Sequence, residues 1–275
     1  GGKLSTGVVI SDNEADKNKY AKDDNGAVGI DLEGNQFVWI PCEPSNYKKC
    51  TVWNGTTQTG TTLQNSNWDT TIDQAGLIQT EKYGGYYVAR YESGLDLSKA
   101  HTSATASTSN YHDSETAKSQ SKAGLIPWNF VSWNTSKARA EEMYNNNYVH
   151  SGLITGTQWD VMINTINAKT GASLTDSQWG NYDNTAITYT GAGATYDSST
   201  KKLGTFQGTG GTTNSATGSY TLLYTGSSNQ CMKYNLYDVA GNVWEWTEET
   251  SFYGGNTETQ YRVLRGGSCH HVSSA

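Results

Sequence analysis

The chain has 275 residues and a formal net charge of −7, with 35% hydrophobic and only 16% charged residues. This acidic balance argues against nucleic acid or an anionic membrane as a partner, and no apolar run is long enough to insert into a bilayer. The 18 Tyr and 9 Trp exclude a disordered chain, and with abundant Ser, Asn and Gly they are typical of recognition surfaces.

The N-terminal third predicts strands separated by polar segments. Residues 1–26 are polar and charged, and are interpreted as an exposed arm or linker. Residues 27–41, AVGIDLEGNQFVWIP, predict a hairpin that turns at Glu33-Gly34-Asn35 and ends at Pro41. Residues 84–94, GGYYVARYESG, predict a second strand because aromatic and β-branched residues lie between glycines.

Three stretches are rich in Thr, Ser, Asn and Gly, and we interpret them as insertions into one domain over residues 27–275. They cover about 42–80, 95–122 and 171–230, and the last is expected to hold short strands at most. Long loops on few regular elements commonly carry function.

Two helices are predicted in the middle of the chain. Asn134 or Thr135 is expected to cap TSKARAEEMYNN. Thr157 is expected to open a capping box for QWDVMINTIN. The apolar residues that share one face of this second helix are Trp159, Met162 and Ile163.

The four cysteines are Cys42, Cys50, Cys231 and Cys269. An even count permits two disulfides, among them Cys42–Cys50 and Cys231–Cys269, but it also permits none.

Six motifs follow one another in a specific order: FVWIP, GGYYVARYE, PWNFVSW, LITGTQWDVM, NLYDVAGNVWEWTEE and RVLRGGS. In this order the chain resembles the formylglycine-generating-enzyme-like (sulfatase-modifying factor) family, over residues 28–40 and 84–271. GNVWEW followed by RGGS is the most specific part, whereas LITGTQWDVM lacks the Arg-Leu-Pro of the family's corresponding segment. The resemblance implies an α+β fold of C-type-lectin-like type, with short antiparallel strands, two helices and long irregular loops.

The resemblance also implies a calcium site in the GNVWEW motif. Asp238 and Glu245 would supply side-chain oxygens, and Gly241 and Val243 would supply backbone carbonyls. Calcium prefers several such oxygens from a flexible turn, and a glycine lets the backbone fold around the ion.

The residues around this motif allow a second interpretation. Trp244 and Trp246 alternate with Glu245 and are expected to face away from it, into the core. Without a metal, Glu245 would instead pair with Arg262 or Arg265.

The founding activity of the family, oxidation of a cysteine to formylglycine, uses two cysteines that bind copper(I) shortly after RGGS. Here Ser268 is followed by Cys269 alone, and Cys269 and His270 would point to opposite faces of a strand. We therefore expect no enzyme activity and no copper. The alternative is a copper-dependent oxidase that acts on a cysteine of a target protein.

Non-catalytic members of the same fold include the variable proteins of diversity-generating retroelements, where the segment after RGGS binds ligand. The resemblance therefore implies a non-enzymatic adhesin or receptor-binding protein, with or without diversification. It would lie outside the cell, on a cell or virion surface, and bind a protein or glycan on another surface. The candidate ligand-binding residues are Tyr253, Tyr261, Arg265, Ser268, His270 and His271.

Members of this family normally continue beyond RGGS and close with a further strand, whereas this sequence stops at Ala275. The expectation is an apparently truncated C-terminus and an open sheet edge, through which the chain would self-associate.

Overall fold

The structure, a computed structural model, describes residues 2–19, 32–49, 72–95, 113, 116–172, 179–197, 202–213, 219–252 and 260–271. Within these residues the chain is α+β, with three helices and fourteen short strands. The helices are α1 (Gln74–Tyr83), α2 (Trp133–Met143) and α3 (Gly156–Thr170). The strands are β1 (Val8–Ser11), β2 (Gln36–Pro41), β3 (Gly85–Ala89), β4 (Gly94–Leu95), β5 (Ile126–Pro127), β6 (Thr188–Thr190), β7 (Gly193–Asp197), β8 (Lys202–Leu203), β9 (Gly210–Thr212), β10 (Ser219–Leu223), β11 (Met232–Lys233), β12 (Leu236–Tyr237), β13 (Glu245–Phe252) and β14 (Gln260–Arg265).

The sheet that holds the main core has the order β1-β2-β3 and is antiparallel throughout. Its central strand, QFVWIP, alternates as the sequence predicts, and Val38 and Ile40 are fully buried. The partner expected for this strand, at residues 27–32, falls mostly outside the described residues. The prediction of an exposed arm over residues 1–26 is wrong for residues 8–18, because VVIS pairs with β2 and a 3-10 helix follows it.

A buried carboxylate ties this N-terminal segment to the sheet. Asp16 accepts hydrogen bonds from the Ser11 hydroxyl at 2.6 Å and from the backbone N–H groups of Glu33 and Gly34 at 2.9 and 2.8 Å. Burial raises the pKa of the Asp16 carboxyl, but these hydrogen bonds to its charged form outweigh burial and lower the pKa to about 2.

Asp16→Asn should lower the free energy of unfolding by about 2 kcal/mol at pH 7, because a charge-assisted acceptor of two N–H groups is lost. Since the folded-state pKa is depressed, the carboxylate stabilises the fold above about pH 4, and this contribution is lost as the pH falls towards 2. Urea unfolding of both proteins between pH 7 and pH 2 checks this. A gap between the two curves that stays constant with pH would contradict it.

The first helix corrects the expectation that residues 42–80 are a loop. α1 begins after Asp73, whose side chain accepts the N–H of Gly76, and ends at Gly84 in the left-handed region. The Tyr47 hydroxyl reaches the same Asp73 carboxylate at 3.0 Å. The helix was missed because QAGLIQTEKY has little apolar periodicity, so its caps define it rather than a hydrophobic face. The other part of this stretch, residues 50–71, lies outside the described residues.

Both predicted helices in the middle of the chain form, but their capping residues lie earlier in the chain than expected. Ser132, not Asn134 or Thr135, caps α2. Thr155, not Thr157, opens the capping box of α3 with Gln158, at 3.2 and 3.1 Å. The face predicted for this helix is confirmed as buried, and its residues are Trp159, Met162 and Ile163.

The remaining strands form small antiparallel sheets, and β6 to β10 are the short strands expected within residues 171–230. Their orders are β10-β7-β8, β11-β12, β13-β14, β4-β5 and β6-β9. Cys42, Cys231 and Cys269 are free thiols, so the Cys231–Cys269 disulfide considered from the sequence does not form, and Cys50 lies outside the described residues. None of the helices in the described part of the chain has the length and apolar character needed to cross a membrane.

Candidate functional site

The GNVWEW and RGGS segments lie against each other. The Gly241 N–H donates to the carbonyl of Gly266 at 2.8 Å, and the Cys269 N–H donates to the carbonyl of Asn242 at 3.0 Å. Glu245 and Arg265, at the ends of β13 and β14, are paired in register. The hairpin therefore brings together the two segments from which the sequence predicted a metal site and a ligand-binding site.

The loop before β13 has an unusual backbone. Asp238, Gly241 and Asn242 have φ values of 56°, 79° and 57°, in the left-handed region where Gly, Asn and Asp are favoured. A Cβ at Gly241 would lie 2.4 Å from the Asn181 carbonyl oxygen, so only glycine fits. The Asp, Gly and Asn of the D-x-x-G-N sequence are therefore the residues that take up the left-handed conformation.

Three acidic side chains, those of Asp238, Glu245 and Glu92, influence one another electrostatically at this loop. Asp238 is buried and accepts the N–H of Gly226 at 2.7 Å, while one carboxylate oxygen of Glu245 is buried and has no hydrogen-bond partner. Glu92 is also buried. Burial raises the pKa of Asp238 to about 7, and burial together with the Asp238 charge raises the pKa of Glu92 and Glu245.

Glu92 was not selected from the sequence. Its two oxygens accept the Asn242 side-chain N–H at 2.7 Å and the Val243 backbone N–H at 3.1 Å. Asn242 in turn accepts the Leu223 N–H at 2.9 Å through its side chain. The available signal was an acidic residue directly after the apolar strand GGYYVARY, because a carboxylate so close to a buried strand needs partners.

The donor atoms around the loop are oxygens. Among the described residues, no group of three or more His, Cys, Asp and Glu side chains could hold a metal ion. A cation at Asp238 and Glu245 would therefore need backbone carbonyls, such as those of Gly241 and Val243, to complete its shell. Oxygen-only ligands of this kind suit a hard cation and not a soft one.

The residues after RGGS form a turn in which two imidazoles share one hydroxyl. The Ser268 Oγ lies 2.9 Å from Nδ1 of His270 and 2.7 Å from Nδ1 of His271, and the two rings are 4.0 Å apart. A hydroxyl has one hydrogen, so at least one Nδ1–H must donate to it. Burial lowers the pKa of both histidines, which favours neutral rings at pH 7.

Aromatic side chains surround this turn. The His270 ring lies 5.2 Å from that of Tyr196 and 6.0 Å from that of Tyr220, and the His271 ring lies 5.1 Å from that of Trp244. Sequence reasoning missed Tyr196 and Tyr220, because they belong to the segment interpreted as an insertion. A cavity of about 850 Å³ opens here, and its lining includes Tyr196, Trp244, Trp246, Ser268 and His270.

The two tryptophans of WEW were expected to face the core. Both are instead half-buried and line the cavity. The Trp246 indole N–H donates to the carbonyl of Val131 at 2.9 Å, which fixes its ring at the cavity wall. Partial exposure of both rings makes them available to a ligand.

Residues 56–275 match the model of the sulfatase-modifying factor enzyme 1-like domain. The chain belongs to this family of formylglycine-generating-enzyme (FGE)-type, or FGE-sulfatase, domains. No curated protein and no solved structure matches it. The α+β arrangement of three helices and short antiparallel strands is that of the FGE-type fold.

Cys269 is the thiol that follows RGGS in this FGE-type domain. Its side chain is buried in a cluster with Ala194, Leu203 and Leu222, and burial raises its pKa to about 12. The thiol therefore stays protonated at neutral pH, although Cys269 is also among the residues that line the cavity. The hydrogen bonds of both histidines in this turn are made to Ser268, and Cys269 and His270 lie in a turn rather than in the strand assumed from the sequence.

The other candidate ligand-binding residues of this FGE-type domain are more dispersed. Arg265 is buried, and its Nε donates to Glu249 at 3.0 Å, a partner that was not expected from the sequence. Tyr261, on β14, is half exposed. Tyr253 lies outside the described residues.

Proposed function

We propose that this FGE-type domain binds a ligand outside the cell through the Ser268–His271 turn and the cavity beside it, without catalysis. The observation that carries the proposal is the turn itself, where two imidazoles and a hydroxyl lie among aromatic rings. Concave, mainly aromatic surfaces with a few convergent polar groups are typical binding sites.

The surroundings of the turn also suggest the kind of ligand. Tyr196, Tyr220 and Trp244 offer ring faces and edges, while Ser268 and the histidines offer hydrogen bonds without a net charge. Such a surface suits an uncharged polar ligand, namely a glycan or a polar protein segment on another cell or surface. A variable protein of a diversity-generating retroelement or an adhesin of fixed sequence would both fit this proposal.

A structural calcium ion is the second part of the proposal. Asp238 and Glu245 would hold it with the carbonyls of Gly241 and Val243. The fit rests on the Glu245 oxygen, which is buried without a hydrogen-bond partner, and on the clustering of buried carboxylates. When bound, the ion would neutralise these carboxylates and fix the loop.

The alternative is a copper-dependent oxidase of target cysteines, the founding activity of the family. Such chemistry needs thiolates for copper(I). Cys269 does not fit this role, since its thiol is buried and its pKa is raised to about 12.

Binding can be tested with labelled protein on a printed glycan array and on a panel of fixed bacterial cells. We expect His270→Ala/His271→Ala to lower binding at least tenfold, because the turn loses both rings that face Ser268. Tyr148→Ala is the matched control, since Tyr148 is 94% exposed and does not line the cavity.

Two results would contradict the proposal. One is equal binding by wild type and by the double histidine variant, which would remove the turn from the binding surface. The other is formylglycine formed by wild type from a cysteine-containing sulfatase peptide with copper(I) and oxygen, which would establish the oxidase alternative.

A further inference from the structure

Glu92 lies at a junction between the two parts of the candidate site. It follows β3 and is 150 residues away from Asn242 in the sequence. Even so, it accepts a hydrogen bond from the Asn242 side chain, which lies between Asp238 and Glu245. It is 3% exposed, so both of its oxygens need partners inside the protein.

The peptide group between Asn242 and Val243 is held on both sides. Its N–H, on Val243, donates to Glu92, and its C=O, on Asn242, accepts the N–H of Cys269. Because a peptide unit is planar, its N–H and C=O cannot turn independently. Any rotation that moves this N–H away from Glu92 also moves the carbonyl away from Cys269.

This peptide unit lies between two functional segments. On one side are Gly241 and Val243, whose carbonyls are the proposed calcium ligands. On the other side is Cys269, which lies in the middle of the turn between Ser268 and His270. The left-handed backbone at Asn242 is uncommon for a residue other than glycine, and side-chain hydrogen bonds hold it.

We propose that Glu92 is a positioning residue that couples the Asp238–Glu245 loop to the Ser268–His271 turn, so that calcium in the loop orders the turn. This inference rests on the calcium site and the ligand-binding turn proposed above. Glu92 itself is not a ligand in this scheme. It fixes the peptide plane that joins the two segments, as outer partners fix the direct ligands of a metal.

The test compares wild type, Glu92→Gln and the control Glu81→Gln, a substitution at an exposed position of α1. Calcium affinity is measured by isothermal titration calorimetry. The iodoacetamide alkylation rate of Cys269 is measured by peptide mass spectrometry with calcium and with EDTA. The buried thiol of Cys42 serves as an internal reference for global opening.

We expect calcium to slow alkylation of Cys269 at least tenfold in wild type and in Glu81→Gln. In Glu92→Gln, calcium affinity should fall about 10- to 100-fold, because the amide offers one acceptor where the carboxylate offers two. Protection of Cys269 should be lost even at saturating calcium. A purely structural role would instead accelerate Cys42 and Cys269 together and leave calcium protection in place.

The outcomes separate the inference from the proposals beneath it. Absence of calcium binding by wild type would overturn the calcium site. Calcium binding with equal affinity and equal Cys269 protection in Glu92→Gln would overturn the coupling alone. If Glu92→Gln does not fold, amide hydrogen exchange of the wild type, measured with and without calcium, tests the coupling instead. Coupling requires that calcium protect the backbone amides of both Val243 and Cys269. Protection of Val243 without Cys269 would refute it.

Discussion

Arg265→Met should lower the free energy of unfolding by about 3–5 kcal/mol, a large share of the stability of a typical domain. The Arg265 guanidinium donates to Glu249 through Nε and Nη2, and the Glu249 side chain is only 1% exposed. Lys49 also pairs with Glu249, and Asp160 lies 3.8 Å from the guanidinium. Removal of one cation leaves buried carboxylates undercompensated, which costs more than a surface ion pair contributes.

Guanidinium unfolding with intrinsic tryptophan fluorescence checks this, and Arg262→Met is the matched control. Arg262 is exposed and stacks on the Trp133 ring at 3.7 Å, so its loss should cost about 1 kcal/mol or less. Glu249→Gln in the Arg265→Met background should recover part of the loss. If Arg265→Met is as stable as wild type but fails to bind ligand, the stability prediction is wrong, and Arg265 contacts ligand as the sequence analysis proposed.

The sequence motifs predicted the local backbone of the candidate site better than the contacts around it. D-x-x-G-N-x-x-E requires a left-handed turn and a carboxylate after it, and these are local properties that the structure reproduces at Asp238, Gly241 and Glu245. Glu92 and Tyr196 could not be assigned in the same way, because their contacts are made across distant parts of the chain. Nothing local marks such pairs, since packing alone brings them together.

The errors in the fold have a similar cause. The N-terminal arm was interpreted from its charge, but Asp16 is buried because backbone N–H groups from a distant turn bind it. α1 has weak apolar periodicity and depends on Asp73 and Gly84 at its ends. α3, in contrast, has a continuous buried face and was predicted correctly, apart from the position of its cap.

Arg90→Lys should also destabilise the protein by about 3–5 kcal/mol, although both residues carry one positive charge. Arg90 is fully buried, with its guanidinium 5.3 Å from the ring centroids of both Tyr91 and Tyr237. Its Nε donates to the Asn235 carbonyl at 3.1 Å, and its Nη1 donates to the Gln36 side chain at 2.7 Å. A lysine ammonium cannot make this planar fork, and it loses more hydration when buried.

Urea unfolding of Arg90→Lys beside Arg139→Lys measures the difference. Arg139 pairs with Glu142 at the surface, so its replacement should change stability by less than about 1 kcal/mol. Because Arg90 directly precedes the segment that carries Glu92, the variant should also weaken the calcium-dependent protection of Cys269. Equal stability of the two lysine variants would contradict the prediction. It would mean that a lysine ammonium can replace the Arg90 guanidinium, and that the guanidinium hydrogen bonds to Asn235 and Gln36 do not fix the end of β3.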